Sequence, residues 1–303
     1  MTAEVLRYAA FTSEGRGGNP AGVVLDAGTL TDGQMLAIAR AIGYSETAFV
    51  TSSLAGTPGM RGRGSGVDHL AAAVRFFSPV AEVAFCGHAT VATAVALAER
   101  SGPGWLRLTT AAGPITVETR VEEGDLVATL TSPPTRTCPV EPTALDEALD
   151  ALRWTRDDLD RRYPVHVAFA GNQHLVLGVR DRGTLARLQY DFPRLARLMA
   201  REQWTTAHLF WSESATRFHV RNPFPPGGVV EDPATGAAAA AFGGYLRALG
   251  LVSVPGRLVL HQGHELGRPS SLLVDLERDS DTVKVTGRAT RLPLSPYDEV
   301  DAP

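Results

Sequence analysis

Apolar and polar positions alternate in short runs along most of this chain, and two stretches break the pattern by being small or apolar nearly all the way round. Val5 to Phe11 and Ala21 to Leu25 read as strands separated by the turn-rich run Gly15 to Pro20. Thr31 is an N-cap for a helix over Asp32 to Ile42, with Met35, Ile38, Ala39 and Ile42 on one face and Gly43 as its stop. Ser45 to Thr51 and Ala71 to Ser78 return as strands, and the Gly- and Arg-rich residues 55–66 between them read as a mobile surface loop. The first exception follows. His88 to Arg100 is helical but has no polar face, so it should be buried on every side. It is too short to cross a bilayer, which takes about 20 residues, so its natural place is inside a curled sheet.

Strands are expected at Leu106 to Thr110, Ile115 to Arg120 and Leu126 to Thr131. Ser132 to Pro142, rich in proline, reads as an inter-domain linker. Beyond it come a short helix (Thr143 to Leu152), strands at Val165 to Ala168 and His174 to Val179, and an amphipathic helix at Phe192 to Arg201. Strands at His208 to Ser212 and Arg217 to Asn222 lead to the second exception, a small-residue helix from Pro233 to Leu249 ended by Gly250. Strands at Arg257 to His261, Ser271 to Leu276 and Thr282 to Gly287 close the chain. The two exceptional helices open alike, with Cys86-Gly87-His88-Ala89-Thr90 in one and Asp232-Pro233-Ala234-Thr235-Gly236 in the other. The expectation is an α+β protein of two similar halves, residues 1–131 and 132–303, each a sheet wrapped round one helix. The last strands, after about residue 277, are candidates to return to the first half.

Composition narrows the function classes. With 44% hydrophobic and 20% charged residues the chain is globular, and a net charge of -4 offers no footing for nucleic acid or an anionic membrane. Lys284 is the single lysine, the other basic residues being arginine. The two cysteines, Cys86 and Cys138, form no CxxC pair and no zinc-spaced cluster along the sequence, and two thiols in a chain this long suggest a reducing compartment. The first residues carry an early Glu4 and no long apolar core, so they do not read as a signal peptide, and no apolar run is long enough to span a membrane. A cytoplasmic protein is expected.

Helix N-termini present free N–H groups and the positive end of a dipole, which attract carboxylates and developing oxyanions. Two buried helices with such ends would flank a pocket if the halves face each other. The ionisable residues there are His88 at one and Glu231 and Asp232 at the other, with Glu46 as a polar residue in the strand-like Ser45-Glu46-Thr47-Ala48-Phe49-Val50. Each has a plain structural reading. Asp232 before Pro233 makes a good N-cap and first turn by itself. His88 suits a first helical turn if neutral. Glu46 fits a solvated strand face, and Cys86 in apolar surroundings reads as a small buried hydrophobe.

Taken in order, Gly18-Asn19-Pro20-Ala21-Gly22-Val23, Ser45-Glu46-Thr47-Ala48-Phe49, Phe76-Phe77-Ser78-Pro79 with Glu82, Cys86-Gly87-His88-Ala89-Thr90, Glu231-Asp232-Pro233-Ala234-Thr235-Gly236, and Gln262-Gly263 with Gly267-Arg268-Pro269-Ser270 resemble the PhzF-like isomerase family over nearly the whole chain. The resemblance implies the diaminopimelate-epimerase-like fold, two pseudo-symmetric halves each a barrel-like mixed sheet around a central helix, in a homodimer. It implies Glu46 as the general acid/base on a small carboxylate substrate, with His88 and Asp232 positioning and polarising that substrate. Asn19, Ser45, Gly87, Gly236 and Ala237 would bind it, the last three through backbone N–H groups at the helix starts. It implies no cofactor and no metal. Two departures stand out. Ala237 sits where relatives often carry Ser, which removes one hydroxyl, and the second helix start has no cysteine, which argues against a symmetric two-thiol racemase. The rival readings are a one-cysteine epimerase or dehydratase using Cys86, and a binding protein of the same fold without turnover.

Overall fold

The computed structural model describes residues 3–54 and 69–293, so the loop expected at 55–66 lies outside the described residues. The described residues up to Thr131, together with those from Thr286 onward, form one compact unit, and Ser132–Val285 forms the other.

The first unit runs β1 (Leu6–Ala10), β2 (Asn19–Val24), α1 (Asp32–Ile42), β3 (Glu46–Leu54), β4 (His69–Phe77), β5 (Glu82–Val83), α2 (Gly87–Ser101), β6 (Trp105–Thr110), β7 (Gly113–Glu122) and β8 (Asp125–Thr131). The second runs β9 (Arg136–Pro139), α3 (Pro142–Leu152), β10 (His166–Phe169), β11 (Gln173–Val179), α4 (Arg182–Ala186), α5 (Phe192–Glu202), β12 (Trp204–Ser212), β13 (Arg217–Arg221), β14 (Pro223–Phe224), β15 (Val229–Glu231), α6 (Gly236–Ala248), β16 (Gly256–Gln262) and β17 (Ser270–Leu276). The last strand is β18 (Lys284–Arg291), whose residues from Thr286 onward belong to the first unit.

In that first unit the strands follow the order β1, β2, β3, β4, β6, β7, β8, β18, and β18 pairs back onto β1 with Tyr8 opposite Arg291. The sheet is therefore a closed barrel of eight strands, a closure that leaves no open edge. Inside lies α2. Every residue from His88 to Ala98 is buried, as its lack of a polar face requires, and its Ala, Thr and Val side chains are small enough for strands to surround it. Helix α1 packs outside. Met35, Ile38, Ala39 and Ile42 meet Val24, Phe49 and Phe77. The Thr31 hydroxyl and the Gln34 side chain close a reciprocal capping box, and Gly43 ends the helix at φ +69°.

Two parallel crossovers align the strand starts with the start of α2. Through α1, β2 runs parallel to β3 with Ala21 opposite Glu46, so Asn19 and Glu46 begin neighbouring strands at the same end of the barrel. Gly22 makes the close approach possible, because a Cβ there would stand 2.7 Å from Thr47 Oγ1. Through α2, β4 runs parallel to β6.

The second unit repeats the pairing pattern. In the first, β1–β2 is antiparallel, β2–β3 parallel, β3–β4 antiparallel, β4–β6 parallel and β6–β7 antiparallel. In the second, β10–β11, β11–β12, β12–β13, β13–β16 and β16–β17 follow the same alternation. Helix α6 takes the role of α2, buried along Ala238 to Leu246, while α3 and α5 cover the outer face with Leu149, Leu152, Leu195 and Met199. The duplication suggested by the two Ala-Thr helix starts is thus visible in the strand pairing of each unit.

Two expectations need correction. Residues 132–142 are not simply a linker, since Arg136–Pro139 pairs antiparallel with β10 as an edge strand, a position where proline is tolerated. The second small-residue helix starts at Gly236 with Thr235 as its N-cap, three residues later than expected, so Asp232 is not the N-cap residue. The physical reason is that Gln262 binds the 232–235 segment in a non-helical shape, as described below.

Candidate active site

In the first unit the chemistry gathers at the start of α2. Cys86 is its N-cap, with a carbonyl that accepts from both the amide (3.0 Å) and the hydroxyl (2.7 Å) of Thr90. Two residues on, the buried imidazole of His88 faces Asn19 Nδ2 at 3.1 Å through Nδ1. With the Asn19 amide turned this way its NH2 donates to Nδ1, which leaves Nε2 as the ring nitrogen facing the strand residues. That Nε2 lies 3.3 Å from Glu46 Oε2 and 3.3 Å from Ser45 Oγ. The Cys86 thiol donates toward the same Glu46 oxygen at 3.5 Å. Asn19, Ser45, Glu46 and His88, four residues picked out in the sequence, therefore meet in one place, and Gly87 is the first helical residue beside them. The Glu46 side chain retains 17% exposure against 7% for His88, so it is more open to a ligand than the imidazole.

In the second unit Asp232 is buried at the end of β15. Its Oδ2 accepts from the Thr235 hydroxyl at 2.6 Å. Its amide donates to the Asn222 carbonyl at 3.0 Å. Gln262, the last residue of β16, binds the segment at both ends of its amide. Nε2 donates to the Asp232 carbonyl (2.7 Å) and to Thr235 Oγ1 (3.1 Å), and Oε1 accepts from the Thr235 amide (3.2 Å). Gly263 follows at φ +74°, where a Cβ would stand 2.8 Å from the Pro233 carbonyl oxygen. The segment thus delivers Gly236 and Ala237 as the first residues of α6, whose opening N–H groups have no partner within the helix. Glu231 is committed elsewhere. It forms a buried two-pronged ion pair with Arg221 (3.0 and 2.6 Å), and Arg221 also donates to the carbonyls of Leu185 and Ala186. Burial pushes the Glu231 carboxyl above its ordinary range, against the pull of the guanidinium.

Behind Asp232 lies a polar network that the sequence did not reveal. His174 Nδ1 meets Thr206 Oγ1 (2.8 Å), Thr206 donates to Asn222 Oδ1 (3.0 Å), and His208 Nδ1 reaches the same oxygen (3.3 Å). All four are buried. Desolvation holds His174 down at about 3 and His208 at about 4, so both rings are neutral at physiological pH. The signal was present as the alternation Thr206-x-His208 in an apolar strand, but alternation alone does not tell a buried polar row from a wet one.

A cleft of about 610 Å³ lies elsewhere in the first unit, lined by Tyr8, Asp26, Glu99, Arg100 and Arg291 among others. It includes none of the predicted site residues. Glu99 is about 16 Å along α2 from His88 at 1.5 Å per residue. The cluster at the start of α2, with its convergent acid, imidazole and thiol, is the better candidate for chemistry.

A barrel closed round a buried helix is the epimerase-like fold. Residues 8–293 match the model of the phenazine biosynthesis-like protein family, PhzC-PhzF, and the chain belongs to that family. It is 34% identical to an uncharacterized isomerase of Deinococcus radiodurans, over 91% of this chain and 88% of the relative. It is 31% identical to a trans-2,3-dihydro-3-hydroxyanthranilate isomerase of Pseudomonas chlororaphis, over 92% and 93%. Among solved structures, a PhzF-family protein of Bacillus anthracis superposes with a TM-score of 0.81 at 25% identity, over 97% of this chain and 98% of that one. A probable proline racemase of Agrobacterium radiobacter shares the fold, with a TM-score of 0.61 at 14% identity over 98% and 95%. The chain is accordingly an isomerase. Among the described residues no helix is long and apolar enough to cross a membrane.

Proposed function

We propose that the protein isomerises or epimerises a small carboxylate by general acid/base proton transfer through Glu46, without a cofactor. The observation that carries this reading is the Glu46 carboxyl group, partly open and held 3.3 Å from His88 Nε2 at the start of a buried helix. Glu46 removes a proton next to an activated carbon or delivers one to a conjugated carbon, giving an inverted centre or a shifted double bond. His88 donates from Nε2, with its tautomer set by Asn19 at Nδ1. In the first unit, the N–H group at Gly87 acts on substrate carboxylate or developing oxyanion. Within the second unit, Asp232, fixed by Thr235 and Gln262, and the opening N–H groups of Gly236 and Ala237 are substrate-binding groups of this proposal in their own right. Given the named relative, trans-2,3-dihydro-3-hydroxyanthranilate is the first compound to try. Ala237 removes a hydroxyl that relatives often offer, which favours a different small cyclic or amino-acid-derived acid.

The contact of Cys86 with Glu46 favours a second reading, in which the thiol carries the proton. Deuterium uptake from D2O into these acids, followed by NMR, separates the possibilities. Under the main reading the wild-type enzyme and Cys86→Ser both incorporate deuterium. Loss of uptake in Cys86→Ser alone would transfer the role to the thiol, and uptake by neither protein on any of the acids would speak against proton transfer.

A further inference from the structure

The cleft of about 610 Å³ in the first unit is built round the far end of α2. Tyr8 of β1 is fully buried, and its hydroxyl donates to Glu99 Oε2 at 2.5 Å, so the carboxylate is held by a donor fixed in the barrel wall. Burial, and then the Glu99 carboxylate itself, push the Tyr8 hydroxyl far above its ordinary range, so it remains a donor. The two guanidiniums of the cleft are taken up by its other two carboxylates, Arg100 with Asp26 at 2.9 Å and Arg291 with Glu4 at 3.7 Å. Among the described residues no cation forms an ion pair with Glu99. Glu99 is therefore the unmatched acid of the cleft. It stands in the last turn of α2, where the carbonyl end of the helix dipole also favours a cation. Beside these charges the cleft has apolar walls from Leu6, Val24, Leu25 and Leu30.

We infer that this cleft binds a small organic cation, a primary ammonium on an apolar body, with the ammonium on Glu99 and the body against Leu6, Val24, Leu25 and Leu30. An ammonium brings three donors; one Glu99 oxygen already accepts from Tyr8, and the other is open to the ligand. A carboxylate held in place by Tyr8 has less side-chain freedom to lose on binding, which lowers the cost of the contact. The volume falls in the range of about 300–1,000 Å³ usual for small-molecule sites. A metal ion is a poorer fit, because the carboxylates of this cleft are not among the described groups that converge to metal-ligand spacing. An anion is poorer still, since it would have to open one of the arginine pairs and would face Glu99 and the negative end of the helix. Glu99 lies about 16 Å along α2 from His88 at 1.5 Å per residue, so the cleft is separate from the group round Glu46. Amine binding here requires neither Glu46 nor the reaction proposed above.

The test is calorimetric titration of the protein with phenethylammonium at neutral pH and low salt. The wild type should bind one equivalent with a Kd below about 1 mM. Phenethyl alcohol, which keeps the body and drops the charge, should bind at least about tenfold more weakly. Glu99→Gln is nearly isosteric and can still accept from Tyr8, so it removes the charge and leaves the barrel wall as it is; amine affinity should fall at least about tenfold. Thr29→Trp, a change at an exposed residue of the lining, fills the cleft from outside and should weaken binding by at least as much. Glu46→Gln should bind the amine as the wild type does. No binding by the wild type, equal affinity for the alcohol, or an unchanged amine affinity in Glu99→Gln overturns the inference. Loss of binding in Glu46→Gln with none in Glu99→Gln would move the amine to the start of α2 and overturn it as well.

Discussion

The two buried histidines of the second unit make its stability depend on pH in a window where few other groups titrate. His174 and His208 are neutral in the folded chain, held at about 3 and about 4 by desolvation. In the unfolded chain each returns to about 6.5. The unfolded state then binds more protons, so stability is fully present above about pH 6.5 and is lost as pH falls toward the folded values. Between about pH 7 and pH 5.5 each ring costs about 1.2 kcal/mol, so the pair costs about 2.5 kcal/mol. His166, His261 and His264, also lowered by burial, add in the same direction, and the raised Glu231 opposes them. Replacing His174 and His208 with Gln isolates the pair. Urea unfolding followed by tryptophan fluorescence reads mostly the second unit, which holds Trp154, Trp204 and Trp211. The wild type should lose about 2.5 kcal/mol more than the double variant over that interval. Equal losses in the two proteins would refute the reasoning.

Other outcomes follow from single contacts. Arg221→Met strands Glu231 as an uncompensated buried charge and should cost about 3–5 kcal/mol in urea unfolding, most of it regained when Glu231→Leu is added; a loss below about 1 kcal/mol would show that the pair is not buried as described. Gly22→Ala sets a Cβ 2.7 Å from Thr47 Oγ1 and 2.9 Å from Ile42 Cδ1, so it should destabilise by about 1–3 kcal/mol and lower the melting temperature, which an unchanged Tm would contradict. Thr31→Ala removes the capping box of α1 at a cost of about 1 kcal/mol, read by urea unfolding followed by far-UV circular dichroism, and an unchanged midpoint would contradict it.

Much of this architecture was legible before any coordinates. The face of α1 showed because Met35, Ile38, Ala39 and Ile42 keep a helical period, and the central place of α2 showed because it has no polar face at all. What escaped depended on partners far away in sequence. Asp232 before Pro233 reads as a cap by every local rule, yet Gln262, thirty residues on, takes the backbone groups that a helix there would use. The edge strand at Arg136–Pro139 was masked by Pro139 and by the prolines that flank it, Pro133, Pro134 and Pro142. Cys86 looked like one more small apolar residue until β3 brought Glu46 to it. The histidines of β11 and β12 carried no local sign that Thr206 and Asn222 would bury them as one network.

Glu46→Gln keeps the shape and the hydrogen-bonding reach of the side chain while removing its ability to carry a proton. Solvent deuterium uptake should fall by at least about a hundredfold in that variant, as expected for loss of a general acid/base, with folding stability near that of the wild type. Deuterium uptake at the wild-type rate by a folded Glu46→Gln enzyme would contradict the assignment on which the account of this site turns.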